Sequence, residues 1–274
     1  EADVPHPRTL PIESEAQLRE LDDHWFEGAL LKPTFSQLFF RRFGLKSLAV
    51  DSRDAAIEAY RTYFYDRNEG VVLQDYVPGP ASAHIFVDGY RTTRGDLAGF
   101  LVRRRERMYP ITNGNSTSTV TIEASEADDT IEDLKRLLDA AGYHGIFSAE
   151  FKRNGNGRRY QLIEVNVRPW WYVEFTATSG VDVCSMAYSE ATGEPVEKST
   201  SYVVGRRCVY PYYDLHAGIE EMRRGTLSVW KWILSWVGSD RPIFAWDDPM
   251  PAIELTAAGV KRAFLNRFRR MFSG

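Results

Sequence analysis

Cysteine is almost missing from this chain: 274 residues hold only two, Cys184 and Cys208. Two thiols so far apart make neither a disulfide framework nor a zinc pattern, and a reducing cytoplasm is the simplest setting. No run of ~18 apolar residues occurs, so no segment reads as a membrane span, and no signal peptide is recognisable. Positive charge is not in excess either. The formal net charge is −4, which argues against a chain built to coat nucleic acid. The histidines are scattered, with no HExxH spacing. Neither a GxSxG elbow nor a Walker-type GxxxxGK[ST] occurs, which argues against α/β-hydrolase and P-loop chemistry. Internal repeats and low-complexity linkers are lacking. The chain opens at Glu1 rather than Met, as expected of a processed form or a piece of something longer.

What is present is a globular composition, 43% hydrophobic and 26% charged, enough for one large or two modest domains. Ser14 can cap a helix through about Phe26. ALLKP (29–33) and LKSLAVDS (45–52) read as strands, and DAAIEAYRTYFYDR as a helix. GVVLQDYVPG is a strand ending in a Pro-Gly turn, and Asp88-Gly89 in HIFVDGYR is a hairpin turn signal. LAGFLVRRRERMYP reads as a strand, TIEDLKRLLDAAGYHG as an amphipathic helix with Gly142 as C-cap, and GVDVCSMAYSEATG as a further helix. One strand after Ser201 and Trp-rich and Arg-rich helices complete the chain. Strands and helices mix without a regular βαβ rhythm, which favours α+β.

The segment GIFSAEFKRNGNGRRYQLIEVNVRP reads as a β-hairpin turning near Asn156. Strand side chains alternate between faces. Ser148, Glu150 and Lys152 therefore share one face, and Phe147, Ala149 and Phe151 the other. In the return strand Glu164, Asn166 and Arg168 share a face, while Ile163, Val165 and Val167 go to the core. Glu150 and Glu164 come together, and two such carboxylates repel unless one takes a proton or a cation sits between them. Hard divalent ions prefer oxygen ligands, and magnesium commonly uses one or two carboxylates with substrate phosphates. Asn166 adds a carbonyl oxygen, and Arg168 can hold a phosphate oxygen. The bland alternative is a solvated face, common in antiparallel sheets. Asn in mid-strand and the aromatic run after it favour a covered cleft.

These residues carry a resemblance. AEFKRNGNGRRYQLIEVNVRPW resembles the metal-binding hairpin of ATP-grasp enzymes, in particular the carbamoyl-phosphate-synthetase-like carboxylate–amine ligases. VPHPRT looks like the family's opening segment, ALLKP and FGLKS like its two lysine strands, and VVLQDYVPG like its hinge. The resemblance runs from about residue 4 to about 200, with FAWDDPMP a weaker feature in the tail. It implies an α+β ATP-grasp fold, two α+β subdomains gripping ATP. The small one covers 1–75 and the large one, with the metal site, 76–213; a helical extension covers 214–274. Lys32 and Lys46 match the lysines that grip the phosphates. Gln74, Asp75 and Val77 match the hinge that reads the adenine edge, largely through backbone groups. Glu150, Glu164 and Asn166 match the ligands of magnesium, two ions with Glu164 between them, or of manganese. Arg168 matches the arginine that faces the transferred phosphate or the acyl-phosphate, and the resemblance implies that it joins Lys46 as a catalytic residue. The implied activity joins a carboxylate to an amine. The carboxylate attacks the γ-phosphate of ATP, giving an acyl-phosphate and ADP, and the amine displaces phosphate. Implied partners are small-molecule or peptide substrates, and a second copy of the chain or a missing N-terminal domain.

The chain departs from the pattern in three places. The small-subdomain loop, usually rich in Gly and Ser, is the bulky TFSQLFFRRFG (34–44). Ala81, Ser82 and Ala83 stand where a carboxylate for the ribose is expected. No Rossmann-like N-terminal domain, common in such proteins, is read in these residues, as expected of a fragment, of a chain whose partner supplies that wall, or of an unusual substrate. These departures favour the alternative, a catalytically inactive nucleotide-binding or regulatory module of a larger complex. The complete Glu-Glu-Asn-Arg set weighs against it.

Other candidates stand beside the hairpin. Arg103, Arg105 and Arg107 share a strand face and read either as a solvated edge or as an anion site for the γ-phosphate or, at Arg103 and Arg105, for the carboxylate substrate. NGNSTST (113–119) reads as a small polar loop, a conceivable phosphate cradle. Trp230, Trp232 and Trp236, and the tail with Phe264, Phe268 and Phe272, read as helices packed on the domain. The competing reading is an interfacial membrane helix.

Overall fold

The computed structural model of the chain describes residues 2–65, 70–155, 157, 159–199, 201–245 and 247–254. The chain divides into two compact units, the first of them Glu1–His84, Asp129–Ala141 and Ala149–Val165. Within it β1 (Thr9–Ile12), β2 (Ala29–Pro33), β3 (Leu48–Val50) and β4 (Val71–Asp75) form an antiparallel sheet ordered β1-β4-β2-β3. ALLKP is a strand for the expected reason: Ala29, Leu31 and Pro33 are buried, and Leu30 and Lys32 are half-buried. Helices α1 (Glu15–Glu20), α2 (Ser36–Phe43) and α3 (Arg53–Tyr63) belong to the same unit. The Ser14 and Ser52 hydroxyls accept from the Gln17 and Ala55 amides and so cap α1 and α3. Leu18, Phe39, Ala56 and Ile57 of the helices pack with Ala29, Leu31, Val71 and Leu73 of the sheet.

Two expectations change in this unit. The helix from Ser14 stops at Glu20 rather than near Phe26, because Leu21 and Asp22 turn to extended backbone before a short 3-10 turn at Asp23–Trp25. The bulky segment 34–44 is not a loop. From Ser36 to Phe43 it is α2, closed by Gly44 in the left-handed region at φ 70°, whose amide donates to the Phe40 carbonyl. Its aromatics pack: Phe39 stacks on Phe64 at 5.1 Å and Phe43 meets Tyr63 edge-on at 5.1 Å. A loop of glycines and serines has no such side chains to bury.

The second unit comprises Ile85–Asp128, Gly142–Ser148 and Asn166–Gly274. The remaining elements are β5 (His84–Arg91), β6 (Leu97–Tyr109), β7 (Asn115–Ile122), α4 (Asp128–Ala140), β8 (Gly145–Lys152), β9 (Gln161–Asn166), α5 (Glu174–Thr178), α6 (Val183–Thr192), β10 (Arg207–Val209), α7 (Pro211–Arg223) and α8 (Val229–Trp236). The second sheet has the order β10-β7-β6-β5-β8-β9. The chain passes between the two units within β8 and β9.

Asp88-Gly89 is not a turn but lies inside β5, opposite Leu101 and Phe100. Gly89 is needed for a close approach, since a Cβ there would stand 2.7 Å from the Gly99 carbonyl oxygen and from the Phe147 ring. The turn falls at Thr92–Asp96, with Gly95 at φ 89°. NGNSTST is likewise no loop from Asn115 on; it enters β7, where Ser116, Thr117, Ser118 and Thr119 are buried. Burial is tolerated because the hydroxyls find partners. Thr117 donates to Asp214 at 2.8 Å and Ser118 to Glu106 at 2.7 Å. In β9, Ile163 and Val165 are only half-buried, and Val167, just past its end, is 60% exposed. β9 is an edge strand, so the expected core positions have neighbours on one side only.

Candidate nucleotide and metal site

In the first unit two of the sequence-predicted residues meet. Lys32 Nζ donates to Gln74 Oε1 at 2.9 Å. Gln74 Nε2 donates to Thr9 Oγ1 at 3.0 Å, and the Thr9 hydroxyl donates to the Pro7 carbonyl at 2.8 Å. The direction is forced. Thr9 has one hydroxyl proton, given to Pro7, so its oxygen accepts from the Gln74 amide and turns the amide oxygen toward the Lys32 ammonium. Lys46 is half-buried in the loop between α2 and β3.

Segment 74–77 is pinned. The Asp75 carboxylate takes Arg8 Nε at 3.2 Å from each oxygen and Arg8 Nη2 at 3.0 Å. Arg8 is itself fixed by the His24 carbonyl at 2.8 Å and the Trp25 ring, 4.4 Å from its guanidinium carbon. The amides of Asp75 and Tyr76 donate to the carbonyls of Arg8 and Gly28, each at 2.9 Å, and Val77 is buried. The Tyr76 ring faces the buried Lys152, whose Nζ lies 4.6 Å from the ring centroid. A ring face compensates part of the cost of taking an ammonium out of water.

Glu150 sits on β8, where Phe147, Ala149 and Phe151 are buried on one face and Ser148 and Lys152 on the other. Its Oε1 lies 2.6 Å from His84 Nδ1, with the two side chains 12% and 9% exposed. β9 is the sheet neighbour of β8 and carries Glu164, exposed, and Asn166, half-buried. Arg168, just beyond, is exposed and donates to the Pro169 carbonyl at 3.2 Å. Two carboxylates and an amide oxygen are hard donors, the set that magnesium shares with substrate phosphates. A cation on Glu150 would share the carboxylate with His84. Among the described residues no group of three or more His, Cys, Asp or Glu is arranged to hold a metal alone.

The arginine row of β6 belongs to the second unit and is not a solvated edge. Arg103 is fully buried; its Nε donates to Asp88 Oδ2 at 2.6 Å, and the Ser148 hydroxyl donates to Asp88 Oδ1 at 2.6 Å. Rings of Phe86 and Tyr172 lie 3.7 and 4.7 Å from its guanidinium carbon. Burial pushes the Tyr172 hydroxyl up, out of its usual range. Arg105 is buried and donates to Ser116 Oγ at 2.8 Å. Arg107 bonds Asp214 twice, at 2.8 and 2.9 Å. Asp214 also accepts from the indoles of Trp232 and Trp236 at 3.0 and 2.7 Å. Those two tryptophans are therefore packing residues of α8, while Trp230 is 74% exposed. Phe264, Phe268 and Phe272 lie outside the described residues.

Sequence reading missed Thr9, Arg8 and His84. Their partners stand 65, 67 and 66 positions away. Lys152 was on the polar face beside Glu150, which was a signal, but nothing local names Tyr76 as its partner.

Several solved structures resemble the chain. An N5-carboxyaminoimidazole ribonucleotide synthetase in its ADP complex matches with a TM-score of 0.59 at 16% identity, over 82% of this chain and 56% of that one. The biotin carboxylase domain dimer of the Hydrogenobacter thermophilus 2-oxoglutarate carboxylase, with MgADP, ADP and bicarbonate, matches at 0.56 and 15%, over 75% and 46%. An L-amino acid ligase from Bacillus licheniformis matches at 0.50 and 15%, over 72% and 45%. The chain thus spans about half the length of the solved structures it matches. No protein-family model matches it, and no curated protein does. At these identities the likeness is one of fold.

Proposed function

The chain has the α+β ATP-grasp fold, and from that premise we propose that it is an ATP-dependent ligase joining a carboxylate to an amine through an acyl-phosphate. The observation that carries this reading is the set on neighbouring strands, Glu150 on β8 with Glu164 and Asn166 on β9. Lys32 and Lys46 hold the nucleotide phosphates, and Gln74, Asp75 and Val77 hold the adenine edge. Glu150, Glu164 and Asn166 hold magnesium, two ions in the fullest form, with manganese as substitute. Magnesium held there would supply positive charge to offset the negative charge on the phosphoryl oxygens. Arg168 and Lys46 place positive charge where negative charge develops during phosphoryl transfer. Arg105 and Arg103 are proposed for the substrate anion, and Arg103 would have to share its guanidinium with Asp88. Residues 1–75, 76–213 and 214–274 are proposed as small subdomain, large subdomain and helical extension. Ala81, Ser82 and Ala83, which offer no carboxylate to a ribose, support a second reading, a nucleotide-binding or regulatory module of a larger complex without ligase activity.

The test is thermal unfolding with ATP, with and without magnesium, for the native chain and Glu164→Ala. A ligand at a hundred times its Kd stabilises the state it binds by about 2.7 kcal/mol. Glu164 is exposed, so its truncation leaves the fold intact. A magnesium-dependent rise in Tm that Glu164→Ala lacks is expected. No rise for the native chain at millimolar nucleotide overturns the reading. A rise without ADP release across a panel of acids and amines selects the second reading.

A further inference from the structure

A cavity of about 130 Å³ in the second unit belongs to none of the residues assigned above. Tyr210, Tyr212, Arg241, Ile243, Phe244 and Ala252 line it. Its size is close to the roughly 150 Å³ of an apolar protein cavity that accepts a benzene ring. The described walls are mainly aromatic and aliphatic, and Arg241 is the one charged residue among the described lining. Arg241 is exposed and makes no ion pair among the described residues. The neighbouring Asp240 is occupied, with Arg206 at 2.6 and 2.9 Å. Ile243 takes φ 76° in the tight turn where the Phe244 amide donates to the Arg241 carbonyl. A β-branched residue rarely adopts that backbone, and such strain gathers at ligand-binding positions. The Tyr210 ring also packs on Trp171, centroids 4.5 Å apart, three residues beyond Arg168.

We infer that this cavity binds a small monocarboxylate with one ring-sized apolar body, its carboxylate on Arg241 and its body among the aromatic walls. One guanidinium matches one carboxylate, in charge and in planar geometry. The binding stands on the cavity alone; that the ligand is a substrate rests on the ligase reading.

The experiment is ligand-observed NMR titration of the full chain, without nucleotide or magnesium, using phenylacetate and, as the cation of similar body, phenethylamine. Phenylacetate is expected to bind saturably, and phenethylamine about tenfold or more weaker, as is Arg241→Gln toward phenylacetate, the scale of one charged hydrogen bond. Arg241 is a surface residue, so the variant folds; a native far-ultraviolet spectrum checks it. Absence of phenylacetate binding, equal binding of phenethylamine, or an unchanged affinity in Arg241→Gln each overturns the inference. Binding of phenylacetate by a chain that shows no magnesium–ATP shift keeps the cavity and removes the ligase. The reverse result keeps the ligase and removes the cavity.

Discussion

At the scale of single residues, Arg103 shows how burial changes what a charged side chain does. Its pair with Asp88 has both side chains fully buried. Removing one partner of such a pair leaves an uncompensated charge inside and costs about 3–5 kcal/mol, whereas replacing both with well-packed apolar groups is often neutral or better. Asp88→Ala should therefore lower stability by about that amount. Asp88→Ala with Arg103→Met should be more stable than Asp88→Ala alone. Urea denaturation of the native chain, both single variants and the double decides it; additive losses would remove the pair as the source. The same residues mark what a sequence can show. Alternation placed Phe147, Ala149 and Phe151 in the core because a strand's facing depends on its own neighbours. Gly89 read as a turn because its reason, the Phe147 ring, stands 58 positions away in the chain. The Lys32–Gln74–Thr9 chain is hidden from a sequence for the same cause, since its partners stand 42 and 65 positions apart.

At the scale of elements, the legible part was whichever segment carried its own cap or period. Ser14 and Gly142 marked helix ends correctly, and α2 was missed because its purpose, rings for Tyr63 and Phe64, lies in α3 and just beyond it. The packing of α1 on α3 has an electrostatic component that is testable by pH. Glu15 takes Arg19 of its own helix at 2.6 Å and Arg61 of α3 at 2.6 and 2.8 Å. Hydrogen bonds from Arg61 first, then Arg19, lower its pKa from 4.5 to about 2. A folded-state pKa below the unfolded one means that the unfolded chain binds the proton more readily, so the contribution is complete above about 4.5 and fades as pH falls toward about 2. The stability gap between the native chain and Glu15→Gln should therefore be constant near neutrality and close over that acid range. Urea midpoints of both chains at several pH values measure it. A gap unchanged down to pH 2 would mean that packing of the side chain, not its charge, holds the helices.

At the scale of the whole molecule, the division into two units does not follow the chain, because Asp129–Ala141 and Ala149–Val165 return to the first unit. No helix among the described residues is long and apolar enough to cross a membrane. One cluster of the first unit is nevertheless local: its buried members all fall between Ile12 and Leu73 and join three helices to the four-stranded sheet. A hydrophobic core contained in one stretch needs no distant segment to close it, which is the physical case for the proposed small subdomain over 1–75. A chain ending at His84 should therefore fold alone. At this size only about 60% of the unfolded chain's surface is buried on folding, so stability should be marginal. The expected result is a cooperative urea transition with a midpoint below that of the full chain, and Leu31→Ala should abolish it. Leu31 is fully buried, and such a truncation costs about 2–5 kcal/mol, the whole stability of a marginal domain. A featureless, non-cooperative melt of the fragment would show instead that α4 and the hairpin strands are needed to complete the first unit.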